Sequence, residues 1–151
     1  MADPASLRPL PLPDPDTRPF WEGCRRHELR MQRCASCGAF RFTPRPLCPK
    51  CRSGECEWER VSGRGTIASR VVVHPPVLPG FAERVPLAVV LVELDEDPTL
   101  RLVGNVLDAA PEEVKIGRAV EVAFEELTPE ITLPQWRLSQ RAAPEPRGTR
   151  Q

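Results

Sequence analysis

Cys34-Ala-Ser-Cys37 and Cys48-Pro-Lys-Cys51 form two C-x-x-C pairs separated by ten residues, and no other feature of the chain restricts its fold as much. Four thiolates so spaced suit a tetrahedral zinc ion, each pair lying on a tight turn that aims both sulfurs at one point. Gly38 follows the first pair and Pro49 sits within the second, and both residue types favour such turns. Between the pairs, Phe40-Arg41-Phe42 alternates apolar and polar, as a ribbon strand does. With Cys34, Cys37, Cys48 and Cys51 filling every position, no coordination place is left for a substrate, so the metal staples the fold and does no chemistry.

Other chemistries compete for paired cysteines. Disulfides need an oxidising compartment, yet no charged-then-apolar signal segment opens the sequence, which points to the cytoplasm. A redox C-x-x-C normally stands beside a βαβ pattern, which is absent. Rubredoxin-type iron uses the same ligand set, so the spacing leaves iron open beside zinc. Cys24 reads as a small buried hydrophobe on a helix, and Cys56, in a Gly-containing loop, falls outside the regular spacing.

The 151 residues allow one small metal module and one further small domain, and no run approaches a membrane span. Residues 1–17 read as a disordered Pro-rich leader, because Pro4, Pro9, Pro11, Pro13 and Pro15 block helix and sheet. Residues 18–56 read as a helix plus zinc ribbon. Thr17 caps a helix over 18–28 that begins Arg18-Pro19 and puts Phe20, Cys24 and His27 on one face. A strand through Leu29–Arg33 then enters the first cysteine pair. Residues 57–138 read as a separate β domain with strands over 64–73, 87–94, 100–107, about 120–125 and 131–138, the last an edge strand because of Pro134. One helical turn is expected at 111–116 between the third and fourth. Five strands with a helical element there match the order of an OB-type barrel. Residues 139–151 read as a flexible tail. The fold class is thus mainly β: a short N-terminal helix, a rubredoxin-like zinc ribbon and a five-stranded OB-fold barrel.

Net charge is zero, but Arg18–Arg70 holds 12 basic and 5 acidic residues, whereas Val71–Glu126 holds 4 basic and 11 acidic. A basic half of this kind is either a solvated face or a site for an anionic partner.

Several motifs resemble the DUF35 family along roughly residues 19–138. They are Pro19-Phe20-Trp21-Glu22-Gly23, Gln32-Arg33-Cys34-x-x-Cys37-Gly38, Pro44-Arg45-Pro46-x-Cys48-Pro49-x-Cys51, Ser62-Gly63-Arg64-Gly65-Thr66, Leu102-Val103-Gly104-Asn105 and Ile116-Gly117. The resemblance implies a non-catalytic zinc-ribbon/OB-fold subunit that binds a thiolase-fold acyl-CoA enzyme, a thiolase or a steroid side-chain-type aldolase. The OB domain of such proteins helps hold the acyl-CoA.

Three function classes follow. A free-standing enzyme needs a nucleophile–base pair, and His27 and His74 have no evident local link to a nucleophile. The alternative, a single-stranded nucleic-acid-binding OB-fold protein, needs stacking aromatics, but the acidic β half offers only Trp58, Phe81, Phe124 and Trp136. The accessory-subunit reading is therefore adopted: no nucleic acid and no membrane, with an acyl-CoA enzyme as partner. Phe20, Trp21, Met31 and Phe40, with Arg25, Arg26 and Arg30, are the candidate partner surface. For the CoA contact the candidates are Arg45 in the Pro-rich ribbon loop, Arg64 between Gly63 and Gly65, and His74 opening a Pro-rich loop.

Overall fold

A computed structural model describes residues 7–142, and its elements follow the chain in a simple order. Helix α1 (Arg18–Arg25) leads into β1 (Arg30–Cys34), β2 (Phe40–Arg41) and β3 (Cys56–Arg60), which form one antiparallel sheet with β1 in the centre. A second sheet contains β4 (Arg64–Val73), β5 (Leu87–Leu94), β6 (Arg101–Asn105), β7 (Ala119–Glu126) and β8 (Thr132–Leu138), in the order β6-β5-β4-β7-β8. A parallel bridge between Val106 and Trp136 joins the two outer strands, so the sheet closes into the OB barrel.

Helix α1 starts at Arg18-Pro19, but Thr17 does not cap it through its side chain. Instead Asp14 and Thr17 lock each other: the Thr17 N–H and hydroxyl both donate to Asp14 Oδ1, at 2.8 and 2.9 Å. The helix is shorter than expected and ends at Arg25, leaving His27 outside it at φ 56°. There the imidazole stacks on Phe124, 5.2 Å between centroids, and meets Glu126 at 2.9 Å, while Phe20 and Cys24 remain buried.

β4 and β5 have the expected bounds. β5 alternates half-buried and buried positions, so Ala88, Val90, Val92 and Leu94 enter the barrel and Leu87, Val89 and Leu91 face outward. The expected helical turn at 111–116 is only a pair of hydrogen-bonded turns, with Glu113 N–H on Ala110 O and Val114 N–H on Pro111 O. β3 was not anticipated. Its alternation is masked because Glu57, Trp58 and Glu59 pair with the polar strand β1 and not with an apolar face.

The downstream β unit packs directly on the helix and ribbon. One continuous core runs from Phe20, Cys24, Leu29 and Met31 through Val61 to Ile67, Val90, Leu102 and Trp136. Helix and ribbon therefore share the barrel's core. Phe20 and Met31 belong to it, which removes them from the candidate partner surface; Trp21 and Phe40 are half-buried.

The described parts of both terminal segments pack on the barrel. Arg8 is buried and forms a two-pronged pair with Glu125, at 2.9 and 3.1 Å, so the leader is fastened to β7. Ser139 is buried and Arg141 meets Asp95 at 2.9 Å, so the tail is held this far. The remainder of both segments, 1–6 and 143–151, lies outside the described residues.

Gly63 lies at φ 74°, and a Cβ there would run into the Val122 side chain, its partner across the sheet. Gly63→Ala is expected to destabilise the fold by about 2 kcal/mol, from backbone strain plus overpacking. Thermal unfolding checks this, and an unchanged melting temperature would contradict it.

Candidate metal centre and apolar cleft

The first cysteine pair ends β1, and the second lies in the loop from β2 to β3. Each pair is wound on the same turn: Gly38 N–H donates to Cys34 O, and Arg52 N–H to Cys48 O, both at 2.9 Å. The fifth residue of each turn is left-handed, Gly38 at φ 72° and Arg52 at φ 62°. Glycine is the usual choice there, so only the first of these two turns announces itself in the sequence. Ser36 Oγ to Ser53 Oγ, 2.9 Å, ties the two turns together.

The four sulfurs of Cys34, Cys37, Cys48 and Cys51 converge within 4.8 Å of one another. Cys34 Sγ is 3.6 Å from Cys51 Sγ, and Cys37 Sγ is 3.6 Å from Cys48 Sγ. Tetrahedral zinc with bonds of about 2.3 Å asks for sulfurs about 3.8 Å apart, so the set fits. The backbone N–H of Cys37, aided by that of Ser36, brings the Cys34 thiol down to about 6 against a smaller cost of desolvation. Cys48 is lowered in the same way, first by the N–H of Cys51 and then by that of Lys50. Peptide N–H groups directed at these two sulfurs thus favour thiolate, the form that binds metal, whereas at Cys51 the Ser53 N–H is outweighed by the neighbouring thiols and burial, which push it up to about 11. Cys56 is not one of the four; its sulfur accepts from Gln32 Nε2 at 3.3 Å. Burial pushes the Cys24 thiol up to about 12.

Two side chains that the alternating pattern concealed hold this centre. Arg41 is buried between half-buried Phe40 and Phe42, the reverse of the usual polar-out reading. Its guanidinium donates to the carbonyls of Arg45, Pro46 and Glu55, at 3.2, 3.4 and 2.9 Å. Gln32, also buried, accepts from the Arg45 N–H at 3.0 Å. A polar residue between two phenylalanines, next to a carbonyl-rich loop, was the only signal.

The candidate CoA contacts are not gathered into one place. Arg45, Arg64 and His74 are all exposed and none makes an ion pair among the described residues. Arg64 opens the ten-residue strand β4 and His74 follows its end, so the length of the strand, up to about 30 Å at roughly 3.3 Å per residue, separates them.

A cleft of about 750 Å³ lies under the Pro-rich loop that opens at His74. Its floor is Leu87 and Val89 of β5 and Val103 of β6; the loop 76–85 supplies Val77, Leu78 and Phe81. The wall is pinned by the leader. Gly80 packs so closely on Leu7 and Arg8 that a Cβ would come within 2.9 Å, and the Arg8 guanidinium sits 5.6 Å above the Phe81 ring. Glu125 accepts from Arg8, from Arg84 at 2.7 Å and from Gln135 at 2.9 Å. Desolvation alone would raise the Glu125 carboxyl, but hydrogen bonds from Arg8 and Gln135, with the charges of Arg8 and Arg84, hold it at about 2.

Two outcomes are expected. Cys48→Ser should lose the zinc and the ordered ribbon together, because binding and folding are coupled in such modules; metal analysis with near-ultraviolet circular dichroism reads both, and retained stoichiometric zinc would contradict it. A carboxyl lowered from 4.5 to about 2 contributes stability that is complete above 4.5 and lost as the pH falls through 2. Glu125→Gln should therefore cost about 3 kcal/mol at neutral pH and flatten the stability curve across that acid window. Denaturant titrations at several pH values measure it.

Two family models divide the chain between them. The ChsH2 rubredoxin-like zinc ribbon domain matches residues 21–57, and the ChsH2 C-terminal OB-fold domain matches 58–125. A Mycobacterium tuberculosis protein named 3-oxo-4,17-pregnadiene-20-carboxyl-CoA hydratase alpha subunit is 39% identical over 123 residues, 82% of this chain and 36% of that one. A DUF35 domain-containing scaffold protein of Methanothermobacter thermautotrophicus is 34% identical over 106 residues, 70% of this chain and 77% of that one. Among solved structures, a chain of an Ltp2–ChsH2(DUF35) aldolase superposes with a TM-score of 0.78 at 37% identity, covering 85% of this chain and 98% of that one. The chain spans about two fifths or less of the length of the hydratase subunits it matches. With four converging cysteines in a ribbon that shares its core with an OB barrel, this chain belongs to the ChsH2/DUF35 family of zinc-ribbon/OB-fold proteins.

Proposed function

We propose that the chain is a non-catalytic subunit that binds a thiolase-fold acyl-CoA enzyme, a thiolase or a steroid side-chain-type aldolase, and helps hold the acyl-CoA. The observation that carries this reading is the match to nearly the whole of one chain of an Ltp2–ChsH2(DUF35) aldolase, at 37% identity. The M. tuberculosis hydratase subunit is named for a steroid acyl-CoA, which favours steroid or other lipid breakdown as the setting. None of the six cysteines forms a disulfide, which suits the reducing cytoplasm.

The side chains support a scaffold in preference to a catalyst. Four cysteines are engaged in one cluster, and the Cys24 thiol is held neutral by burial. Among the described residues His27 meets a carboxylate and not a nucleophile. Trp136 is wholly buried and Phe124 is covered by His27, so neither is presented for base stacking. Trp21, half-buried beside exposed Arg18, Arg25 and Arg26, offers the partner an aromatic anchor within a basic rim. Arg45, Arg64 and His74 are the proposed cations for the phosphate end, each acting beside groups supplied by the partner.

Mixing the purified chain with a thiolase-fold enzyme of the same host tests the reading. The isolated chain should turn over no acyl-CoA, whereas the mixture should co-elute and be active. Turnover by the partner-free chain would overturn the proposal. Within the complex, Arg45→Ala, Arg64→Ala and His74→Ala should each weaken CoA binding, by about tenfold where a bidentate phosphate contact is lost. Calorimetric titration measures this; unchanged affinity in all three would place the phosphate contacts in the partner.

A further inference from the structure

The cleft beneath residues 76–85 lies apart from the metal centre and is lined by neither Arg45 nor Arg64, while His74 adjoins its edge between the lining residues Val73 and Pro76; its lining is uniformly apolar but for Asn105. We propose that it is a binding site for a bulky, uncharged, apolar group, the role of which is to receive the acyl body of the CoA thioester; this rests on the acyl-CoA reading above. At about 750 Å³ the cleft falls within the usual range of small-molecule sites, which are largely preformed and mostly apolar.

The lining decides what enters. Asn105 is the one polar side chain in it, and no charged side chain contributes. A phosphate or a free carboxylate placed there would lose its hydration with nothing to replace it, a cost far larger than any contact could recover. An acyl group in thioester linkage carries no charge, so it avoids that cost. The Asn105 amide donates to Ala88 O at 3.2 Å, and no described group donates to its carbonyl oxygen. With its carbonyl oxygen and its second N–H, Asn105 gives the site one hydrogen-bonding group, suited to a single hydroxyl or carbonyl on an otherwise apolar ligand.

The wall is built before any ligand arrives. Arg8 and Arg84 converge on Glu125 from either side of the loop, Arg8 covers Phe81, and Gly80 allows the leader to lie flat against it. Preorganisation of this kind reduces the ordering cost of binding a rigid ligand. A partner polypeptide needs a broader surface than this cleft supplies, so its size favours a small molecule. The CoA arm would leave by the open side, where Leu78 and Val103 are 59% and 65% exposed.

Progesterone, a neutral four-ring steroid, serves as the probe, titrated into the full chain by equilibrium dialysis. Leu78→Asp and Val103→Asp change exposed positions and should leave circular dichroism and melting unchanged. Each introduces a carboxylate at the cleft and should weaken saturable progesterone binding by at least about tenfold. CoA without an acyl group should not compete. Lack of saturable binding by the wild-type chain would overturn the proposal, as would equal binding by both variants or displacement by CoA. Co-elution of the same variants with the partner enzyme separates the two readings. A complex that forms while no steroid binds removes the cleft proposal alone. Steroid binding without any complex removes the subunit reading but leaves the cleft as a steroid site. If the variants lose the partner and the wild type binds no steroid, the cleft is a protein docking surface and the proposal fails.

Discussion

Convergence of four sulfurs within 4.8 Å is the constraint on which the rest of this structure depends. The ribbon sheet consists of strands of five, two and five residues, too little surface to bury a core of its own. Its outer end is therefore fixed by the cysteine turns and by Arg41 and Gln32, which satisfy the carbonyls and N–H groups of the loops between them. Its inner end is fixed differently. Leu29 and Met31 continue directly into the barrel core, beside Phe20 and Cys24 of the helix. A bound metal thus organises one end, and hydrophobic burial the other. Removing either leaves a sheet that cannot stand alone.

That division explains how much of the molecule was legible beforehand. The cysteine centre, β4 and β5 are written locally, in spacing and in β-branched runs, and the structure has them where the sequence put them. The closing of the barrel was legible as strand order, although its seam depends on Trp136 lying against Gly104, a contact between residues distant in sequence. What escaped was written over long range. Arg8 gives no local sign that it will pair with Glu125, 117 residues away. Arg41 reads as an outward residue until three carbonyls surround it. The Pro-rich loop that opens at His74 was legible as a place for contacts, but the cleft beneath it was not, because its floor comes from β5 and β6 and its wall is pinned by Leu7 and Arg8.

The proposed ligand contacts show the same limit. Arginine beside glycine or proline is a local pattern, and it selected Arg45, Arg64 and His74, which the fold leaves exposed and does not bring together. Apolar recesses arise from topology and not from motif, and the cleft is lined by neither Arg45 nor Arg64, with His74 only at its edge beside Val73. On the proposed reading, four cysteines at one metal site, dispersed cations and an apolar recess suit a subunit that holds a large acyl-CoA, and chemistry falls to the partner.

Native mass spectrometry of the complex purified from its host tests the central claim most directly. The account predicts a hetero-oligomer in which this chain accompanies a thiolase-fold enzyme, with one zinc for each copy of the chain. A folded chain recovered without any acyl-CoA enzyme, or a complex carrying no metal on this subunit, would contradict it.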